Sequence, residues 1–320
     1  MSKRIIAMLL ALVMVFALCA CGNGGNGGNG SASDDVGDET YTIRIACENS
    51  DSYPATLGLY QMEKYVESHT NGKVQVEVCA SGQLGGEEET LEQVAQGNLE
   101  MAVASFAPVV SYVPEFEVMD IPFVYNSYAE AWMVLDSYVG TNLLDKMEAQ
   151  GLKGLAYMEN GMRQVTSNVS AINSVSDFKG VKLRTMQNNN HMESFSALGA
   201  NPTPVAFSEL YISLSQKVVD AQENPIANVT DKKLYEVQKY LSLTNHIYDA
   251  MPLVCNLEFF NSLPQAYQKV VQAGAIYAQE FSRFCNLERE DLILADLADK
   301  YGMQINEVSA DARAEMAKVA

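Results

Sequence analysis

The chain has 320 residues, of which 48% are hydrophobic and 19% are charged. This composition excludes a disordered chain, and it provides enough apolar side chains for one large domain or two ordinary ones. The 40 acidic residues outnumber the 21 basic residues, giving a formal net charge of −19. Because such a surface repels phosphate backbones, we expect no nucleic-acid partner.

The first twenty residues have the pattern of a bacterial export signal. A short basic stretch precedes an uncharged apolar run at 5–17, which is shorter than the ~20 residues that a transmembrane helix needs. The Leu-Cys-Ala-Cys run at 18–21 resembles a lipobox and predicts that Cys21 becomes a lipidated N-terminus; an ordinary secretory signal with an incidental cysteine is the alternative. Residues 21–40 are rich in Gly, Asn and acids, which predicts a flexible tether. We therefore expect an extracytoplasmic protein anchored to the cell membrane.

Four further cysteines follow this segment, namely Cys47, Cys79, Cys255 and Cys285. Their spacing matches no zinc-binding pattern, so we expect no metal. Buried free thiols are the simpler interpretation. A disulfide between Cys47 and Cys79 is the alternative, because both residues end neighbouring predicted strands.

The first part of the remaining chain alternates between two periodicities. Residues 41–47, 74–79 and 100–105 favour β-strands, and residues 55–69 and 87–97 have apolar residues at helical spacing. This β-α-β-α-β order predicts a parallel sheet with helices on its faces. No glycine-rich phosphate loop follows any of these strands, so we expect no nucleotide cofactor and no other cofactor.

A second set of elements begins near residue 160. It comprises predicted strands at 163–168, 181–186 and 218–222, helices at 189–198 and 208–216, and an extended segment at 201–207. The helix at 208–216 is expected to be capped by Ser208.

The chain then returns through two predicted β-segments, 240–249 and 251–260, which link the two halves. From Ser262 to about Tyr301 the spacing predicts a helix of about 60 Å, which should brace both halves or kink. Two α/β lobes joined by several connections predict a hinged clamshell that closes on a ligand in its cleft. We expect lobe I to comprise 41–160 and about 250–285. Lobe II should comprise 161–249 and about 286–320.

The stretch from Asn160 to Tyr248 resembles a known family. It contains, in order, NGMRQVTSN, GVKLRTMQ, ALGANPTPVAFSELYISL, VVDAQENPIANV and LYEVQKYLSLTNHIYD. These segments are similar to the solute-binding subunit of tripartite ATP-independent periplasmic (TRAP) transporters, the DctP-like family. The upstream segments QLGGEEETLEQVAQGNLEMAV and DIPFVYNS extend the resemblance to about residues 41–308. The pair LGANPTP and DAQENP is its most specific feature.

The resemblance implies an α/β, two-lobed fold of the periplasmic-binding-protein (type II-like) class, with the long helix spanning both lobes. It implies hinge closure around a small organic acid and delivery to a sodium-coupled membrane permease. Family members hold the ligand carboxylate with residues that correspond here to Arg184, Arg163 and Asn224, and Phe207 packs on the ligand. The planar guanidinium of Arg184 suits this task because it donates two parallel hydrogen bonds to a carboxylate. A hinge salt bridge is the alternative for Arg163, a turn for Asn224 and core packing for Phe207.

The remaining predicted ligand contacts are Glu87, Ser105, Glu48 and Gln187. Glu87 lies in an acidic run that also complements a helix N-terminus, whereas Ser105 and Glu48 end strands of the first lobe and so face the cleft. Sialic-acid binders of the family carry an acid in place of Ser105 and an Asn in place of Glu48, so we do not expect sialic acid. Asp220 and Glu223 are expected to form structural hydrogen bonds.

We therefore expect a binding protein for a hydroxylated monocarboxylate such as a sugar acid. A C4-dicarboxylate or a 2-oxo acid is the alternative ligand class. A sensor subunit that presents the ligand to a signalling receptor is the alternative function. The histidines, His69, His191 and His246, are scattered and lack a Ser or Cys partner at recognisable spacing, so we do not expect an enzyme.

Overall fold

The computed structural model describes residues 39–320. The predicted signal peptide, Cys21 and nearly all of the predicted tether lie outside the described residues. The described chain contains ten strands: β1 Tyr41–Ala46, β2 Val74–Cys79, β3 Met101–Val103, β4 Leu152–Ser167, β5 Lys182–Thr185, β6 Asn201–Pro204, β7 Ala221–Pro225, β8 Tyr240–Leu243, β9 Tyr248–Asn256 and β10 Gln304–Glu307.

Eleven α-helices accompany these strands in the same residues. They are α1 Pro54–His69, α2 Glu87–Ala95, α3 Phe106–Val109, α4 Tyr128–Leu135, α5 Tyr138–Lys146, α6 Asn189–Ala197, α7 Leu210–Ser215, α8 Ile226–Asp231, α9 Leu257–Ser262, α10 Gln265–Asp299 and α11 Ala310–Val319. Within residues 39–320, none of these helices combines the length and apolar character needed to cross a membrane.

The first sheet is parallel at one edge, as its β-α-β-α-β order predicts. Strand β1 pairs in parallel with β2 and with β3. Strand β9 then pairs antiparallel with β3 and with β4. The alternating residues Ile43 and Ile45 are fully buried and pack with Leu59 and Met62 of α1 in one core. We call this sheet and its helices the first lobe.

The second sheet is built around β7. Strand β7 pairs antiparallel with β4 and parallel with β5, and β5 pairs in parallel with β6. Strand β8 pairs with β4 and with β10. A second core that includes Val165, Leu183 and Phe195 lies against this sheet, and we call these elements the second lobe.

Strand β4 belongs to both sheets. Its residues 152–162 pair with β9, and its residues 163–167 pair with β7 and β8. The sequence predicted only the second part, 163–168. The first part is buried on both faces and interrupted by register shifts at Gly154/Ala156 and Glu159/Gly161, so it lacks a simple alternation. The residue ranges predicted for the two lobes stay a prediction.

The long helix α10 packs against the cores of both lobes, which confirms the predicted brace. It begins at Gln265 rather than Ser262, directly after Pro264, and ends at Asp299. Its 35 residues span about 52 Å. Val271 near its start is buried in the first-lobe core, and Leu297 near its end is buried with second-lobe side chains.

Three of the β-segments predicted between residues 218 and 260 have wrong bounds. The segment 240–249 is split, because β8 ends at Leu243 and β9 begins at Tyr248. The segment 251–260 is a strand only as far as Asn256. The Asn256 side chain accepts a hydrogen bond from Phe259 N at 2.8 Å, and this cap starts α9. The strand predicted at 218–222 is instead Ala221–Pro225.

Two predictions near the helix termini also differ from the structure. Helix α7 begins at Leu210 after a 3-10 turn at 207–209, and Ser208 does not cap it. Strand β3 ends at Val103 because the chain turns into α3 directly after Ser105.

The four cysteines in residues 39–320 are free and buried. The free-thiol prediction is therefore confirmed, and the alternative disulfide between Cys47 and Cys79 is wrong, although Cys47 N donates to Cys79 O at 3.0 Å. Burial raises the pKa of Cys47 to about 11, so this thiol stays protonated at neutral pH.

Candidate ligand-binding site

The predicted contact residues lie where strands end and helices begin. Arg184 and Asn224 come from the last residues of β5 and β7, and Glu48 follows β1. Ser105 follows β3, and Glu87 is the first residue of α2. The carboxyl ends of strands in α/β sheets are where such folds place their ligands.

Arg184 is a buried cation without a full set of partners. Its side chain is about 2% exposed, and its Nε donates to Val205 O at 2.8 Å. Its Nη1 has no hydrogen-bond partner among the described residues. Burial lowers the pKa of Arg184 to about 10, which still leaves the group charged at neutral pH. Because this buried guanidinium is charged and lacks an acceptor for one of its nitrogens, binding of an anion beside it is favourable.

Glu48 and Glu87, which we call the acidic pair, face the same region. Glu48 Oε2 accepts from Glu87 N at 3.3 Å, whereas Glu48 Oε1 is buried without a hydrogen-bond partner of ordinary geometry in residues 39–320. The backbone N–H of Ser208 nevertheless acts on this carboxylate and lowers its pKa against the effect of burial. Glu87 Oε1 accepts from Ser105 N and from Ser105 Oγ, each at 2.9 Å. Burial raises the pKa of Glu48, and burial together with the charge of Glu48 raises the pKa of Glu87 to about 8.

Arg184 interacts electrostatically with both members of the acidic pair. The structure thus brings together four of the predicted residues: Arg184, Glu48, Glu87 and Ser105. Within the described part of the chain, Arg184 Nη1 and Glu48 Oε1 of this group have no hydrogen-bond partner. This arrangement suits a molecule with an anion at one end and hydrogen-bond donors at the other.

Arg163 lies in a different environment, although it is just as buried. Its Nε and Nη2 contact the carboxylate of Glu223 at 2.5 and 2.8 Å, and its Nη1 contacts Asp249 Oδ2 at 2.8 Å. All three nitrogens therefore have acidic partners. These ion pairs raise the pKa of Arg163 and lower that of Glu223 against the opposing effect of burial. These contacts agree with the alternative interpretation of Arg163 as part of a hinge salt bridge.

Asn224 is joined to the Arg163 cluster. Its Oδ1 accepts from Arg163 Nη2 at 3.3 Å and from Asn228 Nδ2 at 3.1 Å, and its Nδ2 donates to Gln222 Oε1 at 2.6 Å. Glu223 forms the structural hydrogen bonds that we expected, with Arg163 and with His246 Nε2 at 3.2 Å.

Phe207 and Gln187 lie at the margin of the group. Phe207 is partly buried, and Lys232 Nζ lies 4.6 Å from the centre of its ring. Gln187 is exposed, and its Nε2 donates to Glu88 Oε2 at 3.1 Å. Gln187 follows β5 of the second lobe, and Glu88 belongs to α2 of the first lobe, so this hydrogen bond joins the two lobes.

Sequence reasoning missed two residues that connect these clusters. Asn160 Nδ2 donates to Asp249 Oδ2 at 2.7 Å and to Ser105 Oγ at 3.4 Å. Asp249 in turn accepts from Arg163, and burial raises the pKa of Asp249 to about 6. Asn160 begins the NGMRQ segment, which was a usable signal. Asp249 ends the LYEVQKYLSLTNHIYD segment, but no local pattern connects it with Arg163 and Asn160, which are 86 and 89 positions away in the sequence.

A separate surface concavity of about 400 Å³ contains none of the predicted contacts. It is lined by residues of the second lobe, including Lys217, Tyr235, Lys239 and Tyr301. Since it is open to solvent and none of the predicted contacts lines it, we assign the candidate site to Arg184 and the acidic pair instead.

Comparisons with known proteins show which family the chain belongs to. The sequence profile of the DctP family, described as bacterial extracellular solute-binding protein, family 7, matches residues 45–320. A C4-dicarboxylate-binding periplasmic protein of Rhodobacter capsulatus is 32% identical over 269 residues, covering 83% of this chain and 80% of that protein.

Two solved structures are similar over most of their length. One is a TRAP periplasmic solute-binding protein from Polaromonas bound to D-erythronate, with a TM-score of 0.84 and 35% identity over 88% of this chain and 92% of that one. The other is a sugar-acid-binding protein from Advenella mimigardefordensis in complex with galactonate, with a TM-score of 0.84 and 34% identity over 88% and 90%. The chain therefore belongs to the DctP family of TRAP-transporter solute-binding proteins, and it is a two-lobed extracytoplasmic binding component rather than an enzyme.

Proposed function

We propose that this protein captures a hydroxylated monocarboxylate, of the sugar-acid class, and delivers it to a sodium-coupled TRAP permease. The observation that carries the proposal is the buried Arg184 guanidinium, whose Nη1 has no hydrogen-bond partner among residues 39–320, while the acidic pair faces the same region. Structures of similar proteins hold D-erythronate and galactonate, both of which belong to this class.

Arg184 is the proposed carboxylate anchor. An unpaired buried charge is unfavourable, and a ligand carboxylate supplies the opposite charge together with acceptors for the free donors. Arg163 is a weaker candidate for direct contact, because Glu223 and Asp249 already occupy its nitrogens. We propose that Arg163 and Asn224 stabilise the structure of the site beside Arg184.

The acidic pair and Ser105 are the proposed acceptors for ligand hydroxyls. A hydroxyl donates readily to a carboxylate oxygen, and Glu48 Oε1 is buried and free to accept. Phe207 and Gln187 are proposed to border the bound ligand. The similar Rhodobacter protein is named for C4-dicarboxylates, but here a second carboxylate would meet Glu48 and Glu87. We therefore favour a monocarboxylate over a dicarboxylate. The acid and Asn of sialic-acid binders are Ser105 and Glu48 here, which also argues against sialic acid.

Ligand binding is proposed to favour the closed arrangement of the two lobes, which the permease then recognises. The two lobes share strand β4 and helix α10, so they can rotate as bodies without separating. The Gln187–Glu88 hydrogen bond supports closure, because it joins the lobes beside the candidate site.

The protein is further proposed to be tethered by lipid on Cys21. The support is the lipobox-like run at 18–21 and the Gly- and Asn-rich segment behind it. The test is to express Cys21→Ser in the native host and to fractionate the cells. Loss of membrane retention together with a lighter N-terminal peptide is expected, and unchanged retention and mass would exclude the anchor.

The ligand proposal is tested by a thermal-shift screen followed by calorimetry. The panel contains D-erythronate, galactonate, succinate, pyruvate and sialic acid. A ligand at a thousandfold excess over its Kd stabilises the folded state by about 4 kcal/mol, which is a clear shift. We expect the sugar acids to give the largest shifts. Submicromolar binding of sialic acid with silent sugar acids, or no response to any acid, would overturn the proposal.

A further inference from the structure

The first lobe contacts the second lobe through a short segment, residues 120–125, which we call the arm. Met119 just before the arm and Tyr125 at its end both pack in a core on the first sheet. Phe123, at the tip of the arm, packs instead against the second-lobe core that contains Phe195. The chain therefore leaves the first lobe, reaches the second and returns within the length of the arm.

The tip of the arm is held in place by its backbone and by close packing. Phe123 has a φ of 61°, in the left-handed region that residues other than glycine rarely adopt. Its N–H donates to His246 O at 2.6 Å. The cavity left beside its ring has a volume of only about 10 Å³. Because a residue keeps such a backbone conformation only where its surroundings hold it there, Phe123 is a fixed point of contact between the lobes.

The start of the arm makes a second contact with the second lobe, between titratable groups. Asp120 is the last residue of a 3-10 helix, Pro114–Asp120. Its Oδ1 lies 3.4 Å from Nε2 of His191 on α6, and its Oδ2 accepts from Asn188 Nδ2 at 3.4 Å. The side chains of Asp120 and His191 are both about 1% exposed. This contact is therefore a buried ion pair between the lobes whenever His191 is protonated.

The contact belongs to the arrangement in which the candidate site is covered. Gln187 and Asn188 are consecutive residues after β5, and they donate to Glu88 and Asp120, two acids of the first lobe. Arg184, at 2% exposure, lies in the same segment three residues before Gln187. The segment that carries the proposed anchor is thus joined to the first lobe on both sides of its turn into α6.

We propose that Asp120 and His191 form a pH-sensitive clasp that holds the two lobes closed, with Phe123 as the pivot of the arm. Asp120 faces His191 when the lobes are closed. When the lobes open, the two side chains separate while Phe123 stays packed in the second lobe. Protonation of His191 then favours closure, because the imidazolium gains its ion pair only in the closed arrangement. This inference rests on the proposed function, in which ligand binding favours that arrangement.

The charges around His191 act in the direction that a clasp of this kind needs. Burial lowers the pKa of His191, but Asp120 and, from β7, Glu223 raise it by more, against a smaller opposing effect of Arg163 on β4. The pKa of the neighbouring His246 is lowered, mainly by burial, so this side chain is neutral at neutral pH and does not repel the protonated His191. Among these charged neighbours only Asp120 comes from the first lobe. Opening should therefore remove its contribution and lower the pKa of His191.

The test measures the Kd for D-erythronate and for galactonate by calorimetry at pH 6.0 and at pH 8.5. Closure takes up a proton on His191, so this residue should make the Kd weaker at the higher pH. Because Glu87 and Asp249 also titrate in this range, the quantity compared between proteins is the ratio of the two Kd values. The ratio should be about 3- to 10-fold smaller in His191→Gln than in the wild type, since one pKa unit between the open and closed arrangements corresponds to about tenfold. Asp120→Asn should reduce the ratio in the same way and is the second variant if the first does not fold.

His69→Gln is the matched control, because His69 is an exposed histidine at the end of α1. Its ratio of Kd values should match that of the wild type. Equal ratios in the wild type and in both folded clasp variants would overturn the clasp and leave the proposed function intact. A reduced ratio in His191→Gln with an unchanged ratio in Asp120→Asn would also overturn it, because His191 would then respond to charges of its own lobe alone.

A second measurement tests the ion pair without any ligand. A histidine whose pKa is raised in the folded state stabilises that state fully below its unfolded pKa of about 6.5, and this contribution is lost as pH rises through the folded pKa. In urea titrations, His191→Gln should therefore lower the free energy of unfolding by more at pH 6.0 than at pH 8.5, whereas His69→Gln should show no such difference. An equal reduction at both pH values would overturn the ion pair and with it the clasp. Failure of the wild type to bind any acid in the panel would instead overturn the proposed function, and it would not alter this second measurement.

Discussion

The guanidinium of Arg163 and the carboxylate of Glu223 form a buried two-point ion pair across the adjacent strands β4 and β7. Asp249 completes it from β9 of the first lobe, with Oδ2 2.8 Å from Arg163 Nη1. Among residues 39–320, Arg184 has no such acidic partner within ion-pair distance, although it is equally buried. Two arginines that sequence motifs treat alike are therefore expected to respond in opposite ways to substitution.

Arg163→Ala should mainly reduce stability. It leaves Glu223 and Asp249 buried without their cation, and loss of one partner of a buried ion pair costs about 3–5 kcal/mol. The measurement is the free energy of unfolding from a urea titration. The control is Arg44→Ala, because Arg44 forms a partly exposed ion pair with Glu100 and its loss should cost about 1 kcal/mol or less. Equal effects of the two substitutions would show that the Arg163 ion pairs do not stabilise the fold.

Arg184→Ala should mainly reduce affinity. Losing the proposed carboxylate anchor costs roughly 2–5 kcal/mol of binding, which corresponds to about a 30- to several-thousand-fold weaker Kd. The free energy of unfolding should stay within about 1 kcal/mol of wild type or rise, because an unpaired buried charge is removed. Arg184→Lys keeps the charge but loses the second parallel hydrogen bond, so its loss should be smaller. Binding of Arg184→Ala within threefold of wild type would contradict the anchor assignment.

Glu159→Gln should change how stability depends on pH. Burial raises the pKa of Glu159 to about 7, against hydrogen bonds from Trp132 Nε1 and Tyr248 OH that lower it. A carboxyl group with a raised pKa binds more protons in the folded than in the unfolded state, so its contribution falls as pH rises from about 4.5 to 7.

The substitution should therefore raise the stability of the protein relative to wild type by an amount that grows over this range, towards about 3 kcal/mol. Urea titrations at pH 5, 6 and 8 measure this difference. Glu288→Gln, at an exposed position of α10, is the control and should show no such trend. A difference that is constant with pH would contradict the raised pKa.

Gly58→Ala should destabilise the contact between α1 and α10. An added Cβ at Gly58 would come within 2.6 Å of Ala278 O, which is backbone and cannot move aside without shifting the helix. Overpacking of this kind costs about 1–3 kcal/mol, and it outweighs the gain of about 1 kcal/mol in helix propensity. Thermal unfolding measures the effect. Ala295→Gly, at an exposed position of α10, is the control and measures the effect of helix propensity alone. A Gly58→Ala protein that is more stable than wild type would show that α1 and α10 are not this close in solution.

The parts of the fold that could be predicted from the sequence are those in which the spacing of apolar residues matches the buried face of each helix or strand. Residues 41–103 alternate or repeat at helical spacing, and each element there packs one face on a core, so the parallel β-α-β-α-β unit is confirmed. The first half of β4 was missed because its polar residues Glu159 and Asn160 are buried by partners distant in the sequence. The spacing of apolar residues along the chain does not show which distant residues will bury a polar side chain.

The same limit applied to the candidate site. Motifs pointed to Arg184, Glu48, Glu87 and Ser105, which the structure brings together. They could not separate the unpaired Arg184 from the fully paired Arg163, because this difference depends on Asp249, which arrives from another strand 86 positions later. Ion pairing between distant residues is a property of the folded chain and not of a local pattern.

The position of β9 has a consequence for when the first sheet can form during synthesis of the chain. This strand, Tyr248–Asn256, lies between β3 and β4 in the first sheet, although both of its neighbours precede it in the chain. A ribosome must therefore synthesise about four-fifths of the polypeptide before the first sheet can close, and most of α10 must follow before its core is covered. Long-range pairing of this kind slows folding. For a protein of an extracellular family this delay is useful, because a nascent chain that has not yet folded can still be threaded through a translocation channel.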